Sequence, residues 1–112
     1  MGKRARARDA GGGARTTRLQ ELIREEVNFL LRSEVGDPRL AGVIITMVEL
    51  AGDCARLWFT VASNQHNETT DDACNEAWTG VAGFLRVQLA QSLGLKRTPE
   101  LRFRRDPAST RI

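Results

Sequence analysis

Gly80-Val81-Ala82-Gly83-Phe84-Leu85-Arg86, a helical tail to Leu95, and then Lys96-Arg97-Thr98-Pro99-Glu100-Leu101-Arg102-Phe103-Arg104-Arg105-Asp106 hold the deciding pattern of this chain. Apolar residues recur at helical spacing up to Leu89 and alternate after Pro99, so the period changes from that of a helix to that of a strand across a basic corner. In the strand Leu101 and Phe103 point inward, while Glu100, Arg102 and Arg104 point outward. From Arg86 to Arg105 six basic side chains stand against the single acid Glu100. That density suits a polyanion, and phosphate backbone is the commonest one.

The helix in this stretch begins upstream. Thr70 can cap it, and Asp71 and Asp72 suit the positive end of a helix dipole. Cys74, Ala77, Trp78, Val81, Leu85 and Leu89 form its buried stripe. Gly80 and Gly83 interrupt it, each at about 1 kcal/mol relative to alanine. A kink or a close backbone approach around Gly80, Ala82 and Gly83 accounts for that cost. Gly80-Val81-Ala82-Gly83 also spells the GxxG of nucleotide-clamping loops, but Val81 falls on the buried stripe and Ala82 brings no donor, which favours a packed helix.

Further upstream, Val43 to Leu50 and Ala55 to Val61 are apolar and β-branched, and Gly52-Asp53 suits a two-residue primed turn. The turn sets Ala51 opposite Cys54 and Glu49 opposite Arg56. Strict alternation then puts Ile44, Thr46, Val48 and Leu50 on one face with Leu57, Phe59 and Val61. Ile45, Met47, Glu49, Arg56, Trp58 and Thr60 take the other. A first helix is read from Leu19, Leu22, Ile23, Val27, Leu30 and Leu31, with Thr17-x-x-Gln20 as a capping box and a stop between Ser33 and Gly36 ahead of Pro38. Glu21, Arg24, Glu25, Asn28 and Arg32 fall outside its stripe. Residues 1–15, with Gly2, Gly11, Gly12, Gly13 and arginines, read as a disordered basic tail. Residues 16–106 read as one domain, and 107–112 as a flexible C-terminal tail.

The net charge of +3 on 112 residues conceals a segregation. Residues 1–18 carry six basic side chains against Asp9, and residues 19–85 carry four against eleven acids. Residues 86–105 return to a strong positive excess. Such a division favours oriented docking over uniform attraction. No signal-peptide core follows the basic start and no apolar run reaches membrane-spanning length. Cys54 and Cys74 do not form a CxxC, and His66 is the sole histidine, in a polar loop from Ser63 to Thr70. This argues against a metal site and for buried thiols in a reducing cytosol. No Ser/His/Asp set and no phosphate loop suggests an enzyme, and no cofactor is expected.

The order α-β-β-α-β predicts an α+β fold with helices on one face of a three-stranded sheet. Asp37-Pro38-Arg39-Leu40 after the first helix, then Val48-Glu49, Gly83-Phe84-Leu85-Arg86 and Thr98-Pro99-Glu100-Leu101-Arg102-Phe103 resemble the ribosome-binding factor A family over roughly Arg18 to Asp106. The resemblance implies a type II KH-like domain with a kinked second helix. It also implies a cytoplasmic, monomeric assembly factor that binds the free small (30S) ribosomal subunit and 16S rRNA, and supports late 16S maturation and 5′-end processing with a role in the cold. Val81-Ala82-Gly83 stands where the family has Ala-x-Gly, and the hairpin around Asp53 is about two residues tighter than the family's.

Candidate RNA contacts are Arg39, Arg86, Lys96, Arg97, Arg102, Arg104 and Arg105. Several have structural alternatives. Lys96 and Arg97 suit a helix C-terminus without any ligand, Arg86 can pair with an acid across its helix, and Arg39 can bond carbonyls of the turn at Asp37. Trp58 can stack a base or pack on Met47. A KH-type module for another RNA, or a protein-interaction module using the acidic surface, are the competing functions.

Overall fold

The computed structural model describes the backbone of residues 4–61 and 71–106, and side chains over 14–61 and 75–106. Helix α1 (Arg4–Ser33) leads through a 3-10 turn (Pro38–Leu40) to strands β1 (Val43–Ala51) and β2 (Cys54–Val61). Helix α2 (Asp71–Leu93) then crosses to strand β3 (Glu100–Arg105). The sheet order is β1-β2-β3, with β1 antiparallel and β3 parallel to β2. This is the α+β arrangement the sequence predicts. The expected loop from Ser63, His66 and the Thr70 cap, the side chains of Asp71, Asp72 and Cys74, and residues 107–112 lie outside what is described.

The hairpin turns at Gly52, whose φ of 63° is reached without strain only by glycine. No non-glycine residue has positive φ among the described residues, so Asp53 completes a type II′ pattern. The pairs Ala51–Cys54 and Glu49–Arg56 form as expected. Farther from the turn the expected alternation fails. The register shifts between Ile45 and Met47, leaving Thr46 as the extra residue of a β-bulge. Val43 and Ile45 are therefore buried on the same side as Val48, while Ile44 is exposed. An inserted residue reverses every side chain beyond it.

Two polar side chains of α1 complete the free edge of β1. The Asn28 amide donates from Nδ2 to the Ile45 carbonyl at 3.1 Å, and Asn28 Oδ1 accepts the Ile45 N–H at 2.8 Å. Gln20 Oε1 accepts the Leu50 N–H at 2.9 Å. Gln20 therefore serves the sheet rather than a capping box. Helix α1 begins at Arg4, well ahead of Thr17, so the stretch expected to be disordered continues the helix from Arg4 on. Ala5, Arg6, Ala7, Arg8 and Ala10 are strong helix formers, which opposes the cost of Gly11–Gly13.

The core lies between the helices and one face of the sheet. Ile23, Val27 and Leu30 of α1 meet Ile45, Val48 and Leu57, while Ala77, Trp78, Leu85 and Leu89 of α2 reach Phe59 and Leu101. Trp78 stacks on Phe103 with centroids 3.8 Å apart and meets Phe59 edge-on at 5.3 Å. Cys54 is half-buried and free rather than a buried thiol. At both Gly80 and Gly83 a Cβ would meet nothing within 4 Å, so no close backbone approach explains these glycines. Both face outward from α2.

Asn28→Ala should lower stability by about 2 kcal/mol, because two half-buried backbone groups of Ile45 lose their partner. Gly80→Ala should instead raise it by up to about 1 kcal/mol through helix propensity. Denaturant melts of both variants read these opposite shifts.

Candidate nucleic-acid interface

The basic corner is made by how α2 ends. Gly94, at φ 66°, lets the chain reverse, and the Leu95 N–H returns to the Ala90 carbonyl at 3.1 Å. This is the Schellman closure of a helix C-terminus. Lys96 and Arg97 follow it, both exposed and outside the last helical turn. Neither has a hydrogen-bond or ion-pair partner among the described residues. Their alternative as helix-dipole partners thereby loses ground, since that interaction fades beyond the last turn.

Arg86 has another task. Its Nε donates to the Pro99 carbonyl at 3.2 Å, and Nη2 donates to the Thr98 carbonyl at 3.2 Å. The guanidinium ties α2 to the entrance of β3 instead of pairing with an acid across the helix. The Glu100 N–H also reaches the Asp53 carbonyl at 2.8 Å, so the start of β3 is held to the hairpin turn.

Strand β3 divides the remaining arginines between two faces. Arg102 lies opposite Arg56 and Arg104 opposite Trp58 on the face away from the helices. Arg102 Nη2 is 3.4 Å from Glu100 Oε1. Arg105 pairs with Phe59 and carries its guanidinium over the Phe59 ring at 5.2 Å, on the helix side. Since β3 is an edge strand, Lys96 and Arg97 stand at its head, Arg86 and Arg105 on one side and Arg102 and Arg104 on the other. The sequence grouped these six by proximity along the chain. The fold distributes them around one free sheet edge.

Arg39 stands apart. Its Nε and Nη2 donate to the two Asp37 carboxylate oxygens at 3.0 and 2.8 Å, and Nη1 lies 3.5 Å from Glu76. It thus bonds a carboxylate where turn carbonyls were the expected partner. Those two bonds, with the Arg39 N–H on Asp37 Oδ1, hold the Asp37 carboxyl below the usual carboxylate range. Asp37 is also the N-cap of the Pro38–Leu40 turn, where its Oδ1 accepts the Arg39 N–H at 2.9 Å. Beside Arg86, a cleft of about 430 Å³ between α2 and β3 is lined by Trp78, Thr79, Gly83 and Phe103 among others. Among the described residues no group of three or more His, Cys, Asp and Glu side chains gathers to hold a metal. No helix among them is long and apolar enough to cross a membrane.

The family model for ribosome-binding factor A matches residues 15–112. The chain belongs to the ribosome-binding factor A family. It is 34% identical over 100 residues to ribosome-binding factor A of Azotobacter vinelandii, covering 88% of this chain and 78% of the relative. The Heliobacterium modesticaldum protein of the same name is 40% identical over 96 residues, covering 84% and 77%. The fold matches the crystal structure of ribosome-binding factor A from Thermus thermophilus with a TM-score of 0.70 at 19% identity, over 84% of this chain and 98% of that one. It also matches a homology model of a Thermus thermophilus ribosome binding factor A fitted into a cryo-EM map of a 30S complex, with a TM-score of 0.63, 19% identity and coverage of 81% and 94%.

Arg86→Lys keeps the charge but cannot span two carbonyls with a planar fork. It should destabilise by roughly 0.5–1 kcal/mol and speed amide exchange around Thr98–Leu101, read by hydrogen exchange.

Proposed function

We propose that this protein is a small-subunit assembly factor that binds free 30S particles in the cytoplasm, as a monomer, and supports late 16S rRNA maturation and 5′-end processing. Family membership supports the class of function. The observation that carries the mode of action is the exposed Lys96-Arg97 corner, without partners among the described residues, at the head of the free β3 edge. Its lysine and arginine neutralise rRNA phosphates, and the rigid sheet edge fixes their spacing. The role is binding, with no reaction catalysed by the chain. Occupying a folded rRNA surface holds one arrangement of an rRNA helix while the particle matures.

Two experiments test the reading. Loss of the gene should accumulate 16S precursor with an unprocessed 5′ end together with free subunits, most strongly in the cold; normal rRNA ends at low temperature refute it. Lys96→Glu with Arg97→Glu should leave the melting temperature nearly unchanged, because both side chains are exposed. The same pair should weaken pelleting with small subunits and make its salt dependence shallower by roughly 1.5 in log–log slope. Parent-like pelleting at physiological salt would remove the corner from the interface.

A further inference from the structure

The sheet face turned away from the helices serves neither the core nor the basic corner. Its cross-strand rows are Ala51, Cys54 and Glu100; then Glu49, Arg56 and Arg102; then Met47, Trp58 and Arg104. The bulge adds Ile44 beyond them, opposite Thr60. Trp58 is half-buried, while Met47 and Ile44 remain 50% and 49% exposed. Two exposed apolar side chains thus flank a half-buried indole on the open face of the sheet.

The charges around it are already ordered. Glu49 lies 3.9 Å from Arg56 and Glu100 lies 3.4 Å from Arg102. Asp106 Oδ2 accepts the Thr46 hydroxyl at 2.9 Å. Arg104, opposite Trp58, has no hydrogen-bond or ion-pair partner among the described residues. The face is close to neutral as a whole, yet an unpaired guanidinium stands beside the indole.

We propose that this face binds an unpaired nucleotide of RNA, its base stacked on Trp58 and extended over Met47 and Ile44, with a neighbouring phosphate on Arg104. This deepens the rRNA-binding reading above and rests on it for the biological ligand. Continuity with the basic corner supports it. An RNA strand following the free β3 edge from Lys96 and Arg97 reaches Arg104, and Trp58 lies one strand spacing farther, about 4.8 Å. Arg102 and Arg104 are about 6.6 Å apart along the strand, comparable to successive phosphates of an extended single strand. Duplex RNA keeps its base faces stacked and offers none to a half-buried ring, so the occupant is unpaired. Aromatic stacking tolerates any base, so the site supplies affinity and position rather than sequence readout.

The test uses the full chain with fluorescein-labelled and unlabelled hexauridylate and hexaadenylate. Trp78 is only 3% exposed and serves as a silent second fluorophore. Unlabelled oligomer should quench emission of the parent, and the quench should vanish in Trp58→Phe, which keeps a ring and should hold affinity within a few-fold. Trp58→Leu should melt near the parent and bind labelled oligomer about tenfold or more weakly. Arg104→Gln should weaken binding and lower its salt dependence. Unchanged parent emission at saturating oligomer, or parent-like oligomer affinity in Trp58→Leu, overturns the proposal. So does a Trp58→Leu protein that binds oligomer normally but no longer pellets with subunits, since that result assigns the face to a ribosomal protein. A parent that fails to pellet with subunits while its Trp58-dependent quench persists removes the ribosomal reading and leaves the stacking site standing.

Discussion

Strand β1 must place Val43, Ile45 and Val48 on one side of the sheet, although Ile45 and Val48 differ in parity. The bulge at Thr46 makes this possible, and Asn28 holds the backbone beside it through both polar groups of Ile45. Much of the molecule depends on that arrangement. It brings Ile45 under α1, closes the core against Val27, and leaves Ile44 and Met47 on the outer face beside Trp58. It also protects the sheet. Strand β1 is an edge, and its outward N–H and C=O at Ile45 are occupied by a side chain of the same protein.

The opposite edge is left available. Helix α2 covers the inner face of β3 through Trp78 and Phe103, and Arg86 fixes the entrance of the strand, but nothing described lies against its outer edge. The asymmetry follows from the connections. Antiparallel β1 and β2 share a two-residue turn, whereas parallel β3 requires the α2 crossover and is added last at the far side.

The elements were legible where a local rule governs them. Gly52-Asp53 set the hairpin register, the apolar spacing of Val27, Leu30, Ala77, Trp78, Leu85 and Leu89 set the helix faces, and Pro99 followed by alternation set β3. The bulge was not legible, because Ile44 and Ile45 are equally apolar and either can face the core. Nor were the roles of Asn28 and Gln20, which depend on backbone groups far away in sequence. In the candidate interface the density of positive charge was legible, but the division of Arg102 and Arg104 from Arg105 required the register with β2. The local bonds of Arg39 and Arg86 were not legible for a shared reason: a guanidinium has five donors, and nearby oxygens take several of them here.

The charge segregation along the sequence does not become two opposed sides of the fold. Helix α1 carries Glu21, Glu25 and Glu26, but also Arg4, Arg6, Arg8, Arg15, Arg18, Arg24 and Arg32, so it is basic on balance. Its acids are not all remote from the basic corner either, because α1 packs on α2 as well as on β1. Glu26 Oε2 accepts the Ser92 hydroxyl at 2.9 Å, two residues before Gly94. What distinguishes the corner is local pairing rather than distance. Glu21 is held by Arg24 and Glu26 by Ser92, whereas Lys96 and Arg97 have no partner among the described residues. The reversal at Gly94 and the Arg86 bonds to Thr98 and Pro99 fix the chain on either side of these two cations. Packing thereby holds two unneutralised charges at one end of an open sheet edge, within reach of a polyanion that approaches to a Debye length, about 8 Å at physiological salt.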